Sequence, residues 1–372
     1  MALNPVSTEP FRPESSHFVF APEYEARPSW SRAEPSAPDA PDAPDAPDKR
    51  ALMRLIVEHG GPVSGALLDP ACSIFRAPGL RGVIGYRKGL GCAVGLGDPV
   101  APADQRAALG GAFRAWCRQN GMKTAYAAAS EAFAREAEGM GYASLQVCEE
   151  QILDPRRDPT QGSKGREVRK KVMHAKRDGV VVEEHHPDFS AASYWREEAM
   201  LKVAADWLAA RKGPQIFLAH IDLFDVREGR RWICARVGDQ VVGVLSMLEL
   251  RARGGYLLEH HLVSPEAPQG TSELLIVGAL ERLGAEGVQA VTFGPAPASG
   301  LGHVANLGAF SERAARKVFD ACVKTFHFDA RARYRQKFQL TRTAPSFVLL
   351  DPPRFGVLQA MGLLRAFNVS LA

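Results

Sequence analysis

From about Leu52 to Phe293 the chain alternates stretches of strand-like and helix-like hydrophobic periodicity, and one order of elements comes round twice. Gly82–Asp98 reads as a β-hairpin with its turn at Arg87-Lys88-Gly89. Pro102–Gln119 reads as a helix, because Leu109, Phe113 and Trp116 recur at spacings of four and three. Strand-like Lys123–Ala129, a helix over Glu131–Met140 stopped by Gly141, and strand-like Tyr142–Leu153 follow. The second round begins after a basic helix, Arg166–Asp178, a strand, Val180–Glu184, and a long amphipathic helix of about 189–210. It runs as a hairpin (Trp232–Val237 and Val241–Leu248 across Gly238-Asp239), a strand (Tyr256–Val263), a helix (Thr271–Leu283) and a strand (Val288–Phe293). Strands alternating with helices belong to the α/β class. The repeated order predicts two structurally similar halves, over 51–160 and 161–354.

The flanks differ in kind. Residues 1–50 hold ten of the 26 prolines, and residues 37–48 are four copies of Ala-Pro-Asp. Every third residue there lacks a backbone donor and acid repels acid, so a disordered, extended spacer is expected. Residues 355–372 carry a single charge, Arg365, and read either as a helix packed on the core or as an interfacial membrane contact. No stretch approaches the ~20 apolar residues that span a bilayer, and the N-terminus has no signal-peptide pattern. Six cysteines lie at least 20 residues apart, with no CxxC or Cys/His cluster, so neither structural zinc nor a disulfide framework is expected. A cytoplasmic protein with reduced thiols fits this pattern, with no metal and no cofactor.

Charge is uneven. Residues 1–50 carry nine acids against five bases, a net −4, so a total of +4 leaves +8 on the remaining 322 residues. A basic body suits an anionic partner such as nucleic acid or phospholipid. The strongest concentration is the helix window Ser163–Arg177, where Arg166, Arg169, Lys170 and Arg177 fall on or near one face. Fixed cations there suit phosphates of RNA or of a lipid head group; the bland alternative is a solvated helix face. A second run, Arg331–Phe338, interleaves charge with aromatics. Glu259 and His261, two apart on a predicted strand, are expected to share a face, as a general base or as an anchor for an amine. Glu273 stands in the first turn of a predicted helix, where a carboxylate favours the positive end of the dipole in any case. The glycine run Gly89-x-Gly91-x-x-x-Gly95 is not a dinucleotide loop, since Gly97-Asp98-Pro99 follows it instead of a helix.

Four segments together resemble the tRNA-dependent aminoacyltransferase domain of the phosphatidylglycerol lysyltransferase family, the aminoacyl-lipid synthases. They are Gly97-Asp98-Pro99-Val100, the basic helix RKKVMHAKRDGVVVEE, the stretch from PEAPQGTSELL to FGPAPASGL, and the late FDARARYRQKF. Their order and spacing, from about residue 80 to 350, are more specific than any one of them. The resemblance implies an α/β (α+β) fold of two tandem acetyltransferase-like (GNAT) halves. It implies transfer of an aminoacyl group from aminoacyl-tRNA to a lipid hydroxyl or, in relatives, to other lipids or small molecules. Such a protein works in the cytoplasm or peripherally at the inner membrane face, with aminoacyl-tRNA as donor substrate and no other cofactor.

Position by position, Glu259 matches an aspartate in a D-L-M-R stretch and Glu273 the acid of an "MDF"-like segment. Ser299 matches the serine of an A-P-x-S-G loop, and Lys337 a lysine before phenylalanine. Leu262 departs from the family's arginine, and the membrane-spanning flippase region of full-length members is not part of this sequence. The roles this implies are Glu259, assisted by His261, as base or amine anchor and Glu273 as second carboxylate. Lys337 and Tyr334 are then donors near the ester or terminal ribose. Two rivals stay open. An acetyl-CoA-dependent N-acetyltransferase would need a phosphate-cradling loop where this chain has Ala267–Ser272 with one glycine. The other is an RNA- or membrane-binding module without catalysis.

Overall fold

The computed structural model describes residues 48–188, 190–210, 221–326 and 329–366. The expected spacer up to residue 47 and the last six residues of the apolar tail lie outside the described residues. The fourth repeat's Asp48 is the N-cap of the first helix, α1 (Lys49–His59), its carboxylate accepting the Arg50 N–H. The first half then runs β1 (Ser73–Phe75), β2 (Ile84–Gly89), β3 (Cys92–Leu96), α2 (Arg106–Gln119), β4 (Lys123–Ser130), α3 (Glu131–Gly139) and β5 (Ala143–Leu153). Next come α4 (Arg166–Arg177), β6 (Val180–His185), α5 (Ala191–Ala209), β7 (Arg230–Val237), β8 (Gln240–Leu250) and β9 (Gly255–Val263). The chain continues through α6 (Thr271–Ala285), β10 (Ala290–Pro297), β11 (Val304–Ala305), α7 (Ala309–Phe326), α8 (Asp329–Gln336), β12 (Arg342–Asp351) and α9 (Val357–Ala366).

Among the described residues, one mixed sheet holds twelve strands in the order β1-β2-β3-β4-β12-β5-β10-β9-β8-β7-β6, with β11 on β5. The main-path pairs are antiparallel except two, β3 with β4 and β9 with β10. Each of those follows a hairpin and is bridged by one helix, α2 in the first case and α6 in the second. The expected α/β class therefore holds, and the same order of hairpin, helix and parallel strand recurs in two halves. The join is β5 against β10, with Ile152 opposite Thr292. The strand between β4 and β5 is β12, which comes late in the chain, after all the elements of the second half.

One local expectation is corrected. The first hairpin turns at Leu90-Gly91 rather than at 87–89, since Gly89 pairs with Cys92. Both central residues have positive φ (52° and 71°), as a tight two-residue hairpin turn requires. The glycine run accordingly lies inside this strand pair. The tail helix α9 packs on β2, β3 and β4, with Leu363 in the core cluster, which favours the packed reading over the lipid one for that element.

Gly97-Asp98-Pro99 clamps the first half. The half-buried Asp98 carboxylate accepts the Ser130 N–H at 2.7 Å and the Ser130 hydroxyl at 2.6 Å, while Ser130 Oγ caps α3 by accepting the Phe133 N–H. In the second half, α6 is buried along most of its length, from Leu274 to Leu283. Each such leucine or isoleucine contributes about 1.5–3 kcal/mol. Helix α4 lays Val168, Val172 and Ala175 against the same core, a stripe at i, i+4 and i+7.

Candidate active site

β9 pairs with β10 only from Gly255 to Leu257. Beyond that, β10 bulges between Thr292 and Pro295, around Gly294 (φ 74°), and continues along β5. The outer half of β9 thus parts from β10, and there the site residues lie.

β9 itself is bulged. Ser246 of β8 pairs with His260 and Met247 with Leu258, leaving Glu259 as the extra residue. One extra residue reverses the side-chain alternation, so the expected pairing of Glu259 with His261 does not form. Glu259 points to the α1 side, where both its oxygens are taken by Arg230, from Nε at 3.0 Å and Nη2 at 3.1 Å. The Arg230 and Glu259 side chains are 2% and 8% exposed. Nη1 of Arg230 reaches Asp222 and donates to the Val226 carbonyl. Leu262 is buried against α5 with Met200 and Val203.

His261 points to the α6 side. Its Nε2 lies 3.1 Å from the Ser272 carbonyl oxygen and 3.3 Å from the Ser272 hydroxyl. Burial is the main cause that lowers the His261 pKa to about 4, against the opposing Ser272 carbonyl bond and Glu273 charge. The ring is therefore neutral at pH 7. A carbonyl oxygen only accepts, so the ring proton sits on Nε2 and Nδ1 carries the free lone pair. The Ser272 hydroxyl also shares a short hydrogen bond with the Tyr334 hydroxyl from α8, and burial raises the Tyr334 pKa above the ordinary phenol value.

Next to Ser272, Glu273 holds the Lys337 ammonium at 2.5 Å. The same ammonium stands 3.9 Å from the Tyr334 ring centroid and 5.5 Å from that of Phe338. Five side chains of α6, β9 and the α8 end thus converge: His261, Ser272, Glu273, Tyr334 and Lys337. Reading the sequence missed Ser272; the available signal was a hydroxyl beside Glu273 at a predicted helix start. Arg230 was missed as well, since it reaches Glu259 from two strands away.

The expected α4 cations divide. Arg166, Lys170 and Arg177 are exposed on the outer face, and Arg177 has Asp178 at 3.8 Å. Arg169 turns back and donates to the Thr160 and Gly162 carbonyls. Helix α4 also meets the start of α6: a Cβ on Gly270 would come within 2.1 Å of the Lys171 carbonyl oxygen. Ser299 is exposed in the bend after β10 and makes no hydrogen bond to the five-residue cluster among the described residues. Among the described residues, no three His, Cys, Asp or Glu side chains gather as metal ligands.

The family model for phosphatidylglycerol lysyltransferase, C-terminal, matches residues 64–349. The chain belongs to this family. A lysylphosphatidylglycerol biosynthesis bifunctional protein, LysX, of Nocardia farcinica is 29% identical over 206 residues, 54% of this chain and 18% of its own length. An uncharacterised protein of Corynebacterium glutamicum is 23% identical over 213 residues, 55% of this chain and 26% of its own. The chain thus spans about a fifth to a quarter of the curated relatives it matches. Two solved structures share the fold of this phosphatidylglycerol lysyltransferase C-terminal family member. One is L-PGS from Bacillus licheniformis, with TM-score 0.70, 18% identity, 87% of this chain and 98% of that one. The other is the C-terminal domain of a putative lysylphosphatidylglycerol synthetase from Agrobacterium fabrum, with TM-score 0.69, 16% identity, 86% and 97%.

Proposed function

We propose that this protein transfers an aminoacyl group from aminoacyl-tRNA to a hydroxyl of a lipid head group, acting in the cytoplasm at the inner membrane face. The observation that carries the reading is the Lys337–Glu273 and Tyr334–Ser272–His261 cluster in a phosphatidylglycerol lysyltransferase family member. An aminoacyl ester is already activated, so the protein's work is to orient the acceptor and stabilise the oxyanion. The acceptor oxygen bonds to the ester carbonyl carbon, the bond from that carbon to the tRNA ribose oxygen breaks, and the acceptor's proton ends on the ribose oxygen.

Lys337, held by Glu273, and Tyr334, held by Ser272, act as donors to the developing oxyanion. His261 relays the proton through Nδ1; as a weak base it passes the proton on instead of retaining it. The second oxygen of Glu273 takes the aminoacyl ammonium. Arg166, Lys170 and Arg177 receive backbone phosphates of the tRNA, and Ser299 meets substrate reaching the exposed loop. Glu259 is assigned a clamping part with Arg230. The acetyl-CoA reading finds less support, because the Lys171 carbonyl packs on Gly270, where a pyrophosphate would need N–H groups facing open space.

The test mixes purified protein with radiolabelled aminoacyl-tRNAs, a total lipid extract and a small-molecule extract, followed by phase partition. Label is expected in the organic phase. Lys337→Ala and Glu273→Ala, folded by circular dichroism, are expected to lower it by about a hundredfold or more. Label in a new aqueous product would move the acceptor to a soluble metabolite. tRNA bound without ester consumption would favour a binding module. Unchanged turnover in both variants would remove the proposed roles.

A further inference from the structure

Among the residues of helix α7 (Ala309–Phe326) whose burial is described, only Ala315 is fully buried, while Phe310 and Val318 are exposed. Ala315 packs into the core beside Val348 and Leu363, with Leu301, Val304 and Leu307 against the same cluster. Around the helix from that contact, Phe310, Ala314 and Val318 recur every four residues and share a face. Phe310 is 84% exposed and Val318 is 38% exposed. Arg313 and Lys317 follow Phe310 at i+3 and i+7, so they edge the same stripe. Over the helix, Arg313, Arg316, Lys317 and Lys324 stand against Glu312 and Asp320, a net +2, and Glu312 is tied to Arg316 at 2.7 Å. Beyond α7, α8 carries Tyr334 of the candidate cluster.

We propose that α7 is a membrane-docking helix that seats Phe310 and Val318 in the interface of an anionic bilayer, with Arg313 and Lys317 on the lipid phosphates. An apolar stripe bordered by bases suits that boundary, where the apolar side chains enter the acyl region and the cations meet head groups. No helix among the described residues is long and apolar enough to cross a membrane, so contact through such helices lies in the interface plane. A second copy is a poorer occupant, because a two-fold contact would set this basic face against itself. Met361 of α9 is exposed too, and α9 packs on the same side of the sheet through Leu363.

This docking rests on the lipid-acceptor reading for its purpose, but vesicle binding is measured without aminoacyl-tRNA, so either can fail alone. The full chain is sedimented with sucrose-loaded vesicles of phosphatidylglycerol and phosphatidylcholine, and with vesicles of phosphatidylcholine only. The wild type is expected to sediment with the anionic vesicles and much less with the neutral ones. Phe310→Asp/Val318→Asp is expected to weaken binding about tenfold or more, with unchanged circular dichroism and melting temperature. Arg313→Glu/Lys317→Glu is expected to weaken it too, and raised salt to do the same to the wild type. Equal binding by the variants, equal binding to neutral vesicles, or no binding at all overturns the proposal. So does sedimentation velocity showing that the apolar substitutions dissolve a dimer while vesicle binding persists.

Discussion

Glu259 separates a clamp from a catalyst. Its carboxylate accepts two hydrogen bonds from a guanidinium whose side chain is 2% exposed. Glu259→Ala strips Arg230 of both and leaves it Asp222 at 3.4 Å and the Val226 carbonyl. Removing one partner of a buried pair costs about 3–5 kcal/mol. At about 2 °C per kcal/mol for a chain of this size, the melting temperature falls by roughly 6–10 °C. Urea and thermal unfolding followed by circular dichroism measure it. Arg230→Met/Glu259→Leu is expected to recover most of the loss, since an apolar pair of similar volume replaces a buried ion pair at little cost. The reasoning fails if Glu259→Ala unfolds within about 1 kcal/mol of the wild type while the proposed transfer to lipid, measured in the wild type, disappears. That outcome would return the carboxylate to the chemistry.

Two further outcomes follow from the same neighbourhood. Folding lowers the His261 pKa from 6.5 to about 4, so below pH 6.5 the unfolded chain binds the extra proton. Stability from this group is complete above pH 6.5 and declines by at most about 1.4 kcal/mol per unit as pH falls towards 4. His261→Gln should flatten that part of the slope in urea titrations at pH 7, 5.5 and 4.5, and parallel curves would count against a neutral buried imidazole. Gly270→Ala meets both a φ of 94° and the Lys171 carbonyl oxygen, and is expected to cost about 2 kcal/mol or more in urea unfolding. A cost under about half of that would mean that α4 yields easily at the α6 N-terminus.

Local signals carried most of the element assignments. Leu109 and Phe113 marked α2, Gly141 the stop of α3, and Gly238-Asp239 the turn between β7 and β8, because each acts within a few residues. The family motifs led to Lys337, Glu273 and Tyr334, which do meet. The bulge was not legible: an extra residue in β9 shows only against its partner β8, and it moved Glu259 to the face opposite His261. Arg230 could not be matched to Glu259 either, since the intervening strand β8 leaves no trace in spacing. Gly97-Asp98-Pro99, read as a break after the glycine run and as a family marker, proved to be the clamp on Ser130.

The position of β12 bears on how a ribosome delivers this protein. Ala129 and Gln146 both wait for Phe347, so at mid-synthesis β4 and β5 have emerged with facing edges unfilled. The second half, with α6 and its buried leucines, can close first. Unpaired strand edges are where nascent chains stick to one another, and long-range pairing is slow. A transcript truncated before residue 342 would therefore yield a polypeptide whose earliest strands are all present and whose sheet still cannot be sealed between β4 and β5.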